Sequence, residues 1–323
     1  MNEGNTITLL PPLINSFLMA IPSLATSLCG IALRNPVLAA SGTFGYGLEF
    51  EKLVDLSQLG GLVVKGLSLE PMEGNPPPRV YETTGGMINS IGLQNIGVRA
   101  FVSEKLPALA RLRTAVFANV FGYRTEDYAE VVRVLEDHPG LAGYELNVSC
   151  PNTSYGGIWF SSDPALLAGV VTAVKRVARR PVIVKLSPNV SAIEPLAQAA
   201  ESSGADALSL VNTFIALAID AHTRRPRIGA GFGGLSGPAI KPIALRLVYQ
   251  AARAVKIPII GLGGISTGLD AAEFLIAGAS AVQVGTANFW DPRSPVRIAG
   301  ELAGFLKREK IASVAQLVNT LQW

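Results

Sequence analysis

Cys150 stands in the segment NVSCPNTSYGG, residues 147–157, just past an apolar run, between two asparagines and directly before a proline. A structural cysteine ordinarily packs among aliphatic side chains and behaves as a small hydrophobe. The neighbours here are hydrogen-bonding groups and turn formers, which places the thiol for chemistry. Two lysines, Lys65 in VVKG and Lys185 in VIVKLS, also follow short apolar runs. As cations they can balance an electron-rich ring or an anionic substrate. As amines they can equally form a Schiff base, as in aldolases. Cys29, in the apolar stretch before IALRNP, reads as structural.

These residues need elements that bring them together. Eight apolar runs recur along the chain, at 35–41, 60–66, 114–120, 143–149, 181–187, 205–211, 258–264 and 281–286. Their near-continuous hydrophobicity suits parallel strands covered on both faces. Between them lie segments of helical period at 163–180, 192–204 and 268–279. Asp163 followed by Pro164 offers an N-cap and a first-turn proline, while Gly204 and Gly278 supply stops. Eight strand–helix units predict a single (β/α)8 TIM barrel of the α/β class, with loops inserted after strands 2, 4 and 6 and an open doubly wound sheet as the weaker alternative. The runs end in turn at Ser41-Gly42, Lys65-Gly66, Asn119, Asn147 with Cys150, Lys185, Asn212-Thr213, Gly263-Gly264 and Gly285-Thr286. In a barrel these carboxyl ends share the face that carries the active site. The loops GLGGIS (261–266) and VGTANF (284–289) follow strands seven and eight, the usual phosphate site of barrels, where glycine lets backbone N–H groups approach an anion.

Composition limits the function classes. The 323 residues are 49% hydrophobic and 16% charged, so the chain can bury a large core. A net charge of +3 with scattered basic residues argues against nucleic acid as the main partner. Two cysteines and two histidines (His138, His222) are too few for a disulfide framework or an obvious metal site, and they fit a reducing, cytoplasmic setting. Residues 8–33 are apolar, but Pro11, Pro12 and Pro22 interrupt them and no basic leader precedes them. That matches neither a membrane span nor a secretory signal. Met19 opens a more conventional start, which makes residues 1–18 dispensable within an N-terminal extension over 1–23 that precedes a barrel over 24–323.

The segments AASGTFGYG (39–47), VVKGLS (63–68), NSIGLQN (89–95), ANVFG (118–122), ELNVSCPN (145–152), VKLSPN (184–189), LVNT (210–213), GGLSGPAIKP (233–242), GLGGI (261–265) and VGTA (284–287) resemble, in order, those of the class 1 dihydroorotate dehydrogenases. The resemblance implies an FMN-binding barrel that oxidises dihydroorotate to orotate in pyrimidine biosynthesis. It implies that Cys150 is the base removing the C5 proton while a hydride passes from C6 to the flavin N5. It carries FMN contacts onto Ser41, Lys65, Gly66, Asn119, Asn147, Lys185, Val211, Gly237, Gly263, Gly264, Gly285 and Thr286. Substrate contacts fall on Lys65, Asn89, Ser90, Ile91, Gly92, Leu93, Asn147, Asn212 and Thr213. Asparagine suits a pyrimidine edge because one amide both donates and accepts. Serine as base marks the membrane-associated, quinone-linked branch, which Cys150 disfavours. SYGGIWFSSDP (154–164) and GGLSGPAIKPIALRLVYQ (233–250) are more similar to the NAD-linked class 1B catalytic subunit. That form joins a partner subunit carrying FAD and a 2Fe-2S cluster in a heterotetramer on a homodimer core; the fumarate-linked class 1A homodimer is the runner-up. A dihydropyrimidine dehydrogenase-like flavin subunit, a Schiff-base lyase on Lys185 and a non-catalytic phosphate-binding subunit are also compatible with the barrel pattern. The pair Gly156-Gly157 fits a lid over the substrate.

Overall fold

A computed structural model describes residues 22–148 and 158–323, the side chains of residues 158 and 159 excepted. Cys150, the Gly156-Gly157 pair, most of the loop after the fourth strand and nearly all of the 1–23 extension therefore lie outside the described residues.

All eight apolar runs form strands: β1 (Val37–Ala39), β2 (Gly61–Val63), β3 (Ala115–Val120), β4 (Gly143–Asn147), β5 (Val182–Lys185), β6 (Ala207–Leu210), β7 (Ile259–Leu262) and β8 (Ala281–Val284). They pair in parallel in chain order, and β8 closes on β1 through the partners Val282 with Val37 and Val284 with Ala39. The result is the closed barrel that the pattern predicts, not the open sheet.

Period-two alternation divides the strand side chains. Leu38, Val63, Phe117, Ile183, Ala207, Ile260 and Ala281 form a buried cluster among the strands. Residues of opposite parity, such as Val37, Leu62, Val116, Tyr144 and Leu208, join the larger core with the surrounding helices. Where the sequence suggests a plain lead-in, a hairpin of Thr26–Leu28 with Ile31–Leu33 adds Leu28 and Leu33 to the inner cluster. Its two-residue turn, Cys29-Gly30, has positive φ at both positions, the geometry that matches strand twist. Cys29 is structural as expected: its Sγ donates to Asp206 O at 3.3 Å, and burial pushes the thiol up to about 11.

The helices follow their signals with trimmed ends. Asp163 caps Pro164–Lys175 by accepting from the N–H groups of Ala165 and Leu166. That helix stops short of 180 because Arg179 and Arg180 leave it to donate their backbone N–H groups to the buried Glu136 carboxylate. Gly204 and Gly278 do adopt positive φ after Glu194–Ser202 and Gly268–Ile276. One expectation fails: the β1–β2 connection holds only short 3-10 turns, Leu48–Phe50 and Leu56–Gln58. Gly42, Gly45 and Gly47 all take positive φ there, which interrupts any helix. The C-terminal helix Ser294–Arg308 packs against β1 instead.

The insertions after β2 and β6 combine. The hairpin Val80–Thr83 and Gly86–Asn89 and the pair Phe214–Leu217 and Phe232–Ser236 make one four-stranded antiparallel sheet, joined through Gly234 opposite Asn89. Sequence spacing locates both insertions but not their union. Among the described residues no helix is long and apolar enough to cross a membrane.

Phe117, fully buried among the barrel strands, tests the packing of this interior. Phe117→Ala is expected to lower unfolding stability by about 3–5 kcal/mol, measured by denaturant titration. A loss below about 1 kcal/mol would show that the inner layer collapses around the missing ring.

Candidate active site

A cavity of about 410 Å³ opens at the carboxyl ends of the strands. Every strand supplies part of its wall. Ser41 follows β1, and Lys65 and Gly66 follow β2; Asn119 lies on β3, Asn147 ends β4 and Lys185 ends β5. Val211, Asn212 and Thr213 follow β6, Gly263 and Gly264 follow β7, and Gly285 and Thr286 follow β8. The insertion after β2 adds Asn89, Ile91, Gly92 and Leu93. Among the described residues, those chosen from sequence meet at one site with two departures, while Cys150 lies outside the described residues. Ser90 is buried behind the wall, where its Oγ accepts from Asn75 Nδ2 at 2.8 Å, because neighbouring residues of an extended chain face opposite ways. Gly237 also stands behind it, where the chain crosses the hairpin so closely that a Cβ would come within 2.6 Å of Gly86 Cα.

The asparagines are braced. Asn212 Nδ2 donates to Asn147 Oδ1 at 3.2 Å, and Thr213 N donates to Asn212 Oδ1 at 2.8 Å. Tyr128 Oη donates to the Asn147 carbonyl at 3.1 Å. Asn189 Nδ2 donates to Thr213 O, and Asn189 Oδ1 accepts from Ile215 N, which ties the β6 insertion to the loop after β5.

At the β7 end, Gly263 and Gly264 have φ of 127° and 83°, a backbone that other residues rarely adopt. Asp270 accepts from the N–H groups of Ser266 and Thr267 and from Lys241 Nζ at 2.6 Å, which pins the rest of this loop and leaves its glycines beside the cavity. Thr286 Oγ1 lies 2.8 Å from Ser236 Oγ across the same corner.

Beneath the cavity runs a polar layer that the sequence pattern does not announce. Glu145 is fully buried on β4. Its Oε1 accepts from Asn119 Nδ2 at 2.7 Å and pairs with Lys185 Nζ at 3.5 Å, while its Oε2 accepts from Gln283 Nε2 at 2.7 Å. Among the described residues Asn119 Oδ1, Ser209 Oγ and Gln283 Oε1 are buried without a hydrogen-bond partner. The available signal was a carboxylate and an asparagine at i and i+2 in an otherwise apolar strand, which shares one face between Glu145 and Asn147. Arg79, Met87, Gln94, Ser236 and Phe289 also line the cavity; Gln94, Ser236 and Phe289 fall inside the segments 89–95, 233–242 and 284–289 without being singled out there, and Arg79 and Met87 lie outside every such segment. Burial, then the nearby Arg79 charge, holds Lys65 below the ordinary lysine range.

The comparisons agree with this geometry. The family described as dihydroorotate dehydrogenase matches residues 23–306. A Solibacter usitatus protein, provisionally named dihydroorotate dehydrogenase A (fumarate), is 80% identical over 94% of this chain and 99% of its own length. The protein from Geobacter sulfurreducens named dihydroorotate dehydrogenase B (NAD(+)), catalytic subunit, is 54% identical over 94% of this chain and all of its own. A Pelobacter propionicus protein of the same name is 52% identical over 93% of this chain and 99% of its own length. The family match takes in every barrel strand and every loop that forms the cavity, and the chain belongs to the dihydroorotate dehydrogenase family.

Proposed function

We propose that this chain oxidises (S)-dihydroorotate to orotate with FMN, and that Cys150 is the base. The observation that carries the reading is the convergence of all eight strand ends, with their lysines, asparagines and glycines, on one cavity. The residues fit FMN. A cavity of about 410 Å³ lies in the usual range for small-molecule and cofactor sites. The Gly263-Gly264 and Gly285-Thr286 loops form a corner suited to a phosphate. On the floor, the unpartnered Asn119 Oδ1 and the Lys185 ammonium offer an acceptor and a cation to a polar ring. Ser41, Gly66 and Val211 complete the FMN side of the proposed site.

FMN, when bound, supplies the acceptor for the hydride leaving C6. The chain supplies the remainder. Cys150 removes the C5 proton as a thiolate, an ordinary thiol having a pKa near 8.5. Asn89, Asn147, Asn212 and Thr213 match the polar edges of the pyrimidine, with Ile91, Gly92 and Leu93 closing over it. Lys65 faces the negative charge of the substrate.

For the electron acceptor we propose NAD(+), reached through a partner subunit carrying FAD and an iron–sulfur cluster in a heterotetramer built on a homodimer of this chain. The names of the relatives at 51–54% identity support it. With Cys29 and Cys150 alone, the chain has no thiol set for a cluster of its own. Exposed Val80, Ile215, Leu217 and Phe232 on the four-stranded sheet offer apolar surface for subunit contact. The name of the 80% identical relative favours the fumarate-linked reading instead. Purified protein that passes electrons briskly to fumarate without a partner would decide for that form.

Anaerobic addition of dihydroorotate to the purified protein tests the main reading. The visible flavin band should bleach rapidly, and Cys150→Ala should slow bleaching by about 10²-fold or more. The wild-type rate should climb with pH toward the thiol pKa. A yellow protein that dihydroorotate leaves oxidised would move the assignment to another pyrimidine, and a colourless one that FMN cannot reconstitute would remove the flavin.

Lys65 gives a separate pH signature. Between its depressed folded-state value and the ordinary 10.5, the unfolded chain carries more protons on this amine. Stability of the ligand-free protein should therefore gain from this group as pH rises through that window. Lys65→Met should flatten that gain in thermal melts, and an identical pH profile in the variant would rule out the assignment.

A further inference from the structure

We infer that Glu145 is a positioning residue: its sealed carboxylate determines which end of the Asn119 amide the bound ring meets and holds the Lys185 ammonium at the cavity floor. The inference rests on the FMN reading and goes one layer deeper. Glu145 does not line the cavity and is fully buried, so it touches no ligand itself. Directly below it the barrel interior is apolar, with Phe117 and Ile183 each two residues before Asn119 and Lys185 on their strands.

A charge in such a place is not explained by stability, because replacing buried ion pairs with apolar side chains is often neutral or stabilising. Its effect on neighbours is specific. An ionised carboxylate only accepts hydrogen bonds. Asn119 and Gln283 must therefore turn their NH2 groups toward it and their oxygens away. For Asn119 this leaves Oδ1 buried without a partner among the described residues, on a side chain that lines the cavity. Lys185 Nζ shares the same Oε1 at 3.5 Å, which balances its charge beneath the ligand. A glutamine at this position has one acceptor oxygen and brings an NH2 group of its own. It cannot accept from both amides and the ammonium, so a neighbour must turn and Lys185 loses its counter-charge.

The test uses the full chain stripped of flavin and titrated with FMN, following flavin fluorescence, with the midpoint potential of the bound flavin measured in parallel. Glu145→Gln should weaken FMN binding by about ten-fold or more, and adding Asn119→Ala to that variant should cost far less than it does alone, as expected for groups in contact. The potential should rise, because an unbalanced cation favours added electrons nearby. Glu145→Asp keeps the charge but draws it back by one methylene; it should show the same coupling to Asn119 with the potential little changed, and it serves if Glu145→Gln does not fold. Additive losses, or an unshifted potential in Glu145→Gln, overturn the inference; the potential is the discriminating readout, since a merely structural carboxylate in contact with Asn119 would couple to it without moving the potential. Wild-type protein that binds no FMN overturns the flavin reading with it, whereas wild-type binding with unaltered variants overturns the role of Glu145 alone.

Discussion

Eight short parallel strands can bury all their backbone groups only by closing on themselves, and that closure governs everything else in the molecule. It leaves no exposed edge, and it sends all carboxyl ends to one rim. It also makes the inward positions scarce. Lower down they hold Phe117, Ile183, Ile260 and their neighbours, and nearer the rim they become Asn119, Glu145, Lys185 and Gln283. The barrel is thus an apolar plug with a polar cap, and the cavity sits on the cap.

A polar cap inside a barrel must satisfy itself or leave atoms for a ligand. Glu145 gathers three donors, which accounts for the carboxylate but strands the oxygens of Asn119 and Gln283. Buried polar atoms without partners are uncommon in folded proteins. Beneath a cavity walled by lysines, asparagines and glycine loops, the Asn119 oxygen offers an acceptor to a ligand. Preorganisation of this kind places the electrostatic work in the scaffold, so that little must move when the ligand arrives.

The second constraint is the roof. Neither the β2 insertion nor the β6 insertion can bury its face alone, and together they form one sheet beside the cavity mouth. Pairing Gly234 with Asn89 fixes where Asn89 stands relative to Thr213 and Asn212, residues more than a hundred positions away in the chain. The shape of that side of the cavity depends on that register.

Much of this was legible in the amino-acid order. Strand count, strand order, the glycine loops after β7 and β8 and the strand-end residues of the cavity follow from apolar runs and from what ends them, because a closed barrel makes position along a strand equivalent to position in space; Asn89, Ile91, Gly92 and Leu93 of the β2 insertion came only through the family resemblance. Helix stops at Gly204 and Gly278 were readable for the same local reason, a backbone conformation that glycine readily adopts. What sequence could not supply were relations across the barrel. That Ser90 and Gly237 fall behind the wall depends on which way an extended chain alternates and on how closely two loops cross. That Glu145 meets Asn119, Lys185 and Gln283 depends on four strands being staggered to one height. The β1–β2 connection has no helix because three glycines break the turn while β1 is covered from the far end of the chain by Ser294–Arg308. Local chemistry is written residue by residue, but the pairing of distant side chains is decided only when the barrel closes.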